Sequence, residues 1–379
     1  ASAVLVLIRS TGIAQSIDLV VYDLITNQRP QGSGLDTPIT LVGIAESDIQ
    51  RFGWPIDDGL FCEAFDRLLA KGVKAIGFDL YRDKGVGPNQ ECLQNRFREV
   101  PNLVSIFNVA LKIPAVPQTP TDRQSYNDIS LDADGVIRRD LVHVSGQDEA
   151  TVSFPMRVLE VATGDRSLRE AIDAGHHRDA WLTANGGGYH NAIDAGLGFQ
   201  RLLQFREPGS YPMVTLAALL EGDVPDRLIT DRIVLIGSTA PSLRDLYEIP
   251  HTRFRRDDTL FRVAGVEIHA NRLATLLDHR NGTINRGWIM PGWGNLLLLV
   301  GLTVSGVVLG EAIPKQRHSI LIVLGLTSGI SAGLIVLLWH QVWIGVAMPI
   351  SGLLTMGCAA WLRRGVVSQQ HSEQIRRLL

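Results

Sequence analysis

Trp288-Ile-Met-Pro-Gly-Trp-Gly-Asn-Leu-Leu-Leu-Leu-Val-Gly-Leu-Thr-Val-Ser-Gly-Val-Val-Leu-Gly310 is the first of three apolar stretches near the end of the chain, followed by Ser319 to Leu338 and Val342 to Leu362. Each is close to the roughly 20 residues a helix needs to cross the hydrocarbon of a bilayer, and none holds a charged residue. Trp288, Trp293, Trp339, Trp343 and Trp361 stand at the ends of these stretches, where an indole sits half in lipid and half among headgroups. Buried helices of a soluble core rarely follow one another in this way with aromatic ends. The pattern predicts three transmembrane helices in contact with membrane lipid.

The loops set the orientation. Lys315 and Arg317 lie in the connector Glu311 to His318, and Arg363 and Arg364 follow the last stretch directly, whereas Trp339 to Trp343 has no Lys or Arg. By the positive-inside bias the connector and the C-terminus are cytoplasmic, and everything just before Trp288 is extracytoplasmic. Ala1 to Ile8 is an apolar run that stops at Arg9, with neither the basic start nor the cleavage site of a secretory signal. It reads as the outer end of a first transmembrane helix. The expected layout is residues 1–8 in the membrane, 9–287 outside, spans at 288–310, 319–338 and 342–362, and a cytoplasmic linker at 363–379. In that linker Ile375, Leu378 and Leu379 begin an amphipathic helix whose start is interrupted by Gly365.

Between Pro38 and Leu277 the pattern is α/β. Ile39 to Ile44 is a short continuous apolar run, as in a strand buried on both faces. Asp57 or Asp58 caps a helix in which Leu60, Ala64 and Leu68 recur, with Phe61, Phe65 and Leu69 beside them, before Gly72. Val73 to Leu80 is a second strand, Leu93, Phe97 and Val100 mark a second helix, and Leu103 to Val109 is a third strand. Such alternation argues for a mostly parallel or mixed sheet. Val136 to Val144, Phe199 to Phe205 and Ile233 to Ile236 read as further strands, and Ser153 to Gly164, Thr215 to Leu220 and the amphipathic Val266 to Leu277 as helices.

Signals for chemistry are sparse. A net charge of −3 excludes the basic field that holds nucleic acid. Asp132-Ala-Asp-Gly135 lacks the further carboxylates of a calcium loop, since Ser130 and Leu141 stand where they belong, and reads as a turn. His176, His177 and His190 have no third ligand at useful spacing and read as a solvated loop. No metal and no cofactor is expected. Cys62 and Cys92 fall outside the membrane, where they can form a disulfide, though two isolated thiols explain the count as well. Ligands of open parallel sheets sit beyond the carboxyl ends of the strands. That places Glu46, Asp48, Asp79, Arg82, Ser238, Thr239, Arg244 and Asp245 near a candidate crevice. Gly306 and Gly310, then Gly325, Gly329 and Gly333, line helix faces with small residues for close packing, within the chain or against a second copy.

Val42-Gly-Ile-Ala-Glu-Ser-Asp48, Gly53-Trp-Pro55, Lys74-Ala-Ile-Gly-Phe-Asp-Leu-Tyr81, Asp132-Ala-Asp-Gly-Val-Ile-Arg138, Arg232-Ile-Val-Leu-Ile-Gly-Ser-Thr239 and Gly265-Val-Glu-Ile-His-Ala-Asn271 occur in order over residues 17–277. Together they resemble the type-2 CHASE family, extracellular sensory domains associated with cyclases and histidine kinases. The wording looks most like cyanobacterial members. The resemblance implies a multi-pass receptor of a bacterial inner or thylakoid membrane. Its outer domain receives a ligand or protein and passes the signal to a cytoplasmic kinase, cyclase or caspase-like module. It supplies no catalytic residues. Ala45 replaces an Asp usual in the family, and Ile56-Asp-Asp58 replaces its second Trp and Arg, which weakens any ligand role at that corner.

The reading adopted is a homodimeric sensor input module that is not itself an enzyme. Its rivals are a docking subunit with an exposed apolar patch, and a membrane-anchored enzyme working from the Asp79 and Asp245 side of the sheet.

Overall fold

The computed structural model describes residues 13–144, 152–176, 181–254, 262–282, 287–312 and 319–378. The expected first membrane segment, His177, and the connector carrying Lys315 and Arg317 lie outside the described residues. The chain divides into two compact units. One comprises Pro30–Arg178 and Gly198–Ile284, and the other Ala1–Arg29, Asp179–Leu197 and Asn285–Leu379. Residues 13–29 and 181–197, expected in the outer domain, therefore fold with the apolar helices, which they contact through buried side chains described below.

In chain order the elements are α1 (Ile13–Gln28), β1 (Ile39–Ile44), α2 (Glu46–Phe52), α3 (Asp58–Ala70), β2 (Ala75–Asp79), α4 (Gln90–Glu99), β3 (Leu103–Phe107), β4 (Gln124–Tyr126) and β5 (Arg139–His143). Then come α5 (Phe154–Thr163), α6 (Ser167–Asp173), β6 (Phe199–Leu202), β7 (Met213–Thr215), α7 (Leu216–Glu221), β8 (Ile233–Ser238), β9 (Leu246–Tyr247), β10 (Val263–Ala264) and α8 (Gly265–Asn281). The last are β11 (Trp288–Ile289), α9 (Gly292–Ala312), α10 (Ser319–Trp339), β12 (Val342–Trp343) and α11 (Ala347–Leu378).

The first unit is built on a sheet ordered β4-β3-β2-β8-β1-β7, in which every neighbouring pair is parallel. β1 and β8 are buried at all six positions, which is why they read as unbroken apolar runs. One face is covered by α3, α4 and α7. Asp57 caps α3 by accepting the Gly59 amide at 2.7 Å. Phe61, Phe65 and Phe97 meet Phe78 of β2 edge-on or tilted at 5.1 to 5.7 Å. The opposite face is covered by α5 and α8. Gly77 makes that possible, because a Cβ there would lie 2.7 Å from the Phe154 ring.

β5 and β6 form a separate antiparallel pair. β4 and β7, at the two edges of the sheet, are three residues long and too short to leave an apolar signature. α8, expected to be amphipathic, is buried at every position from Gly265 to Leu277. Its polar residues are absorbed on all sides. Glu267 accepts the Gly209 amide at 2.7 Å, and Asn271 Oδ1 accepts the Arg206 amide at 2.7 Å.

Cys62 of α3 and Cys92 of α4 are joined in a disulfide that closes a loop of sequence separation 30. Replacing both by Ala is expected to lower stability by about 2–4 kcal/mol through the freed unfolded chain. Thermal unfolding with and without the substitutions checks it, and an unchanged midpoint would contradict it.

In the second unit, α9 is long and apolar enough to cross a membrane, with mean hydropathy 1.8. Gly306 and Gly310 let it press backbone to backbone on α11: a Cβ at Gly306 would lie 2.3 Å from the Leu353 carbonyl, and one at Gly310 2.4 Å from the Gly357 carbonyl. Gly325, Gly329 and Gly333 on α10 have nothing within 4 Å of an added Cβ among the described residues. α11 runs unbroken through Gly365 to Leu378, so the expected interruption is absent. One Gly with helix on both sides costs only about 1 kcal/mol relative to Ala.

Candidate functional site

Asp79 ends β2 on the face covered by α5 and α8, and is 8% exposed. Its Oδ1 accepts from Asn127 Nδ2 at 3.1 Å. Asn127 Oδ1 in turn accepts from the Tyr81 hydroxyl at 2.8 Å, which accepts from Asn108 Nδ2 at 2.9 Å. On the other side, His269 Nε2 of α8 stands 3.6 Å from Asp79 Oδ2. Arg272 Nη1 lies 3.1 Å from His269 Nδ1. A guanidinium only donates, so Nδ1 accepts and the imidazole proton is on Nε2, facing Asp79. Burial, and then Arg272, hold His269 well below its ordinary pKa and keep it neutral. Arg272 Nε also donates to Asp140 Oδ1 at 2.5 Å. A polar relay thus runs from the buried Asp140 through Arg272, His269, Asp79 and Asn127 to the half-buried Tyr81.

Asp245 joins this group. Burial first, and then the charge of Asp245, push Asp79 up to about 7, while Asn127 and Arg272 pull the other way without prevailing. Burial also raises Asp245 against its hydrogen bond with Tyr247. A buried carboxylate beside a half-buried one that raises its pKa does not ionise cheaply, so Asp79 retains its proton toward the neutral range. Chemically this is a place that would welcome a cationic group or hold a transferable proton.

The other predicted residues are not gathered here. Asp48 accepts the amides of Ala45 and Ala217, both at 2.9 Å, and so caps α2 while tying α7 to it. Arg82 donates to Asp58 at 3.1 Å and to the Ile56 carbonyl at 3.2 Å. Both side chains are engaged by partners within the α/β unit. Glu46 accepts the Ser242 amide at 2.7 Å, and the Ser242 hydroxyl and amide hold its carboxyl below the usual range. Ser238 shares the parity of Val234 and Ile236, which places it on the α3 side of the sheet, away from Asp79; its buried hydroxyl has no partner among the described residues. The Thr239 amide donates to the Ile44 carbonyl at 3.0 Å. Arg244 is exposed. Trp54 is 43% exposed.

The Asp132 turn contains an ion cluster: Asp132 binds Arg138 and Arg139, each at 2.8 Å, and Asp134 binds Arg138 at 2.7 Å. The carboxylates of that turn are committed to these guanidiniums. His190 is not in a solvated loop; its ring lies 3.1 Å from Asp18, whose carboxylate is buried.

Asn127, His269, Arg272 and Asp140 escaped the sequence reading. The available signal was a His and an Arg three apart in one helix, which puts both on one face. Arg201 was missed as well. It pairs across strands with Asp140, is buried, and its Nε and Nη2 have no hydrogen-bond partner among the described residues.

A parallel sheet with a polar relay at its strand ends, followed closely by a long apolar helix, defines a class: α/β domains joined to a hydrophobic helix. The model of the CHASE2 domain matches residues 1–308, and the chain belongs to that family, the extracytoplasmic sensory domains of signalling receptors. No curated protein and no solved structure matches the chain.

Proposed function

We propose that the chain is the input half of a membrane-bound receptor of a bacterial inner or thylakoid membrane. In this reading α9, α10 and the apolar first part of α11 are three spans, the sensory unit lies outside, and the C-terminal end of α11 leads toward a cytoplasmic output module. The observation that carries it is the family match running from the sensory unit into α9. The stimulus, a ligand or a partner protein, acts at the strand ends near Asp79 and Asp245. It works by binding two states of the domain unequally, since tight binding alone shifts nothing. The Gly325, Gly329 and Gly333 face of α10 suits a second copy, giving a homodimer.

Cysteine labelling in intact cells tests the topology. In a Cys358→Ala background, Ser47→Cys is expected to react with a membrane-impermeant maleimide from outside, and Val367→Cys only after lysis. Equal labelling of both in intact cells would refute the reading.

A further inference from the structure

We infer that residues 181–197 are the coupling element through which the sensory unit sets the position of α11, with Asp18 and His190 as its positioning residues. The inference rests on the receptor reading above and names the route of the signal. The chain leaves the α/β unit after Arg178 and returns to it at Gly198, so the intervening residues are tied covalently to the sensory unit at both ends while folding among the helices.

What this segment holds is the start of α11. Ile344, Gly345 and Val346 precede the helix, and none has a side chain that can accept a hydrogen bond, so its first amides need an acceptor from elsewhere. Asp18 of α1 supplies it. Its Oδ1 accepts the Val346 amide at 2.7 Å and the Ala347 amide at 2.8 Å, placing a buried anion at the positive end of the helix. Asp18 Oδ2 lies 3.1 Å from His190 Nε2, and the His190 amide donates to Gln15 Oε1 at 2.9 Å. The segment therefore grips α1 at the carboxylate that caps α11.

A second grip surrounds Trp343, two per cent exposed. A Cβ at Gly187 would lie 1.8 Å from its indole and one at Gly188 2.7 Å, while Tyr22 and Tyr189 meet the ring at 4.7 and 6.2 Å. Gly187 also has φ +58, a second reason for glycine there. A third grip is Asn295 of α9, which donates to the Gly187 carbonyl at 2.6 Å and accepts the Gly345 amide at 3.4 Å. A shift of 185–190 cannot occur without disturbing the acceptor, the packing or the bridge at the start of α11, and a helix moved at one end moves as a body.

The test is a cycle on the full chain in lipid nanodiscs, read by amide hydrogen exchange. His190→Ala is expected to speed exchange of Val346 and Ala347 about tenfold, the size of a weakened helix cap, with β1 and β8 unchanged. Asp79→Asn/Asp245→Asn, which perturbs the sensory unit, is expected to change exchange at the start of α11 in the wild-type background and not in the His190→Ala background. His190→Gln, which keeps a donor, is expected to restore the coupling. An undiminished effect of the Asp pair in the His190→Ala background would overturn the coupling element and leave the receptor reading intact. No effect of the pair in the wild-type background would overturn the receptor reading, and the coupling element with it. Should His190→Ala disturb β1 or β8, Asn295→Ala takes its place in the cycle, and the same two results overturn the same two readings.

Discussion

Asp79→Asn stabilises the α/β unit at pH 7 to 8 and flattens its stability between pH 4 and 7. The sign follows from the direction of the shift. The carboxyl stands at about 7 when folded against an ordinary 3.8, so within that window the folded state binds the extra proton. Stability then falls as pH rises through the window, and the loss is complete above the folded value. At 1.36 kcal/mol for each pKa unit, the upper limit is roughly 4 kcal/mol. Asn has the shape of Asp and no charge to desolvate, so the variant lacks this loss. Unfolding midpoints at pH 4.5, 6 and 7.5 decide it: parallel pH profiles for wild type and variant would show that Asp79 is ionised in the folded protein without penalty.

Arg272→Met is expected to cost about 3–5 kcal/mol, because it removes one partner of a buried ion pair and strands the other. Asp140 is 1% exposed, its Oδ1 is held by Arg272 Nε, and its Oδ2 already has no partner among the described residues. His269 also loses the donor that fixes its tautomer. If Arg201 turns onto Asp140 across the strand pair, the loss falls at the lower end of the range. Adding Asp140→Leu to Arg272→Met removes the stranded charge, and the double variant is expected to recover most of the loss. Denaturant midpoints of both proteins make the comparison, and a single variant within about 1 kcal/mol of wild type would contradict the account.

The parts of the fold that were legible in the sequence are those where burial is one-sided or total over several residues. β1, β8 and α3 announce themselves because every position, or every fourth one, meets the same apolar surroundings. β4 and β7 do not, since three residues at a sheet edge carry too little pattern to distinguish from loop. α8 was found but misjudged: Glu267, His269, Asn271 and Arg272 look like a solvent face, and only the tertiary structure reveals acceptors and donors waiting for them. The same limit governs the site. The strand-end rule pointed to Asp79 and Asp245, but it also pointed to Asp48 and Arg82, whose partners, the Ala217 amide and Asp58, lie far away in sequence. His190 is the clearest case. Its partner Asp18 is 172 residues distant, and no local spacing could relate them.

α11 is 32 residues of uninterrupted helix. At 1.5 Å per residue that is about 48 Å, so on the three-span reading about 18 Å of rigid rod projects past the 30 Å hydrocarbon layer. A rod has an azimuth as well as a length. Each residue added or removed before a fused reporter turns that reporter by about 100°, whereas seven residues bring it back to within about 20°. Chimeras joined in continuous helix after Leu378 should therefore signal in phase with the heptad, alternating between active and silent as single residues are inserted.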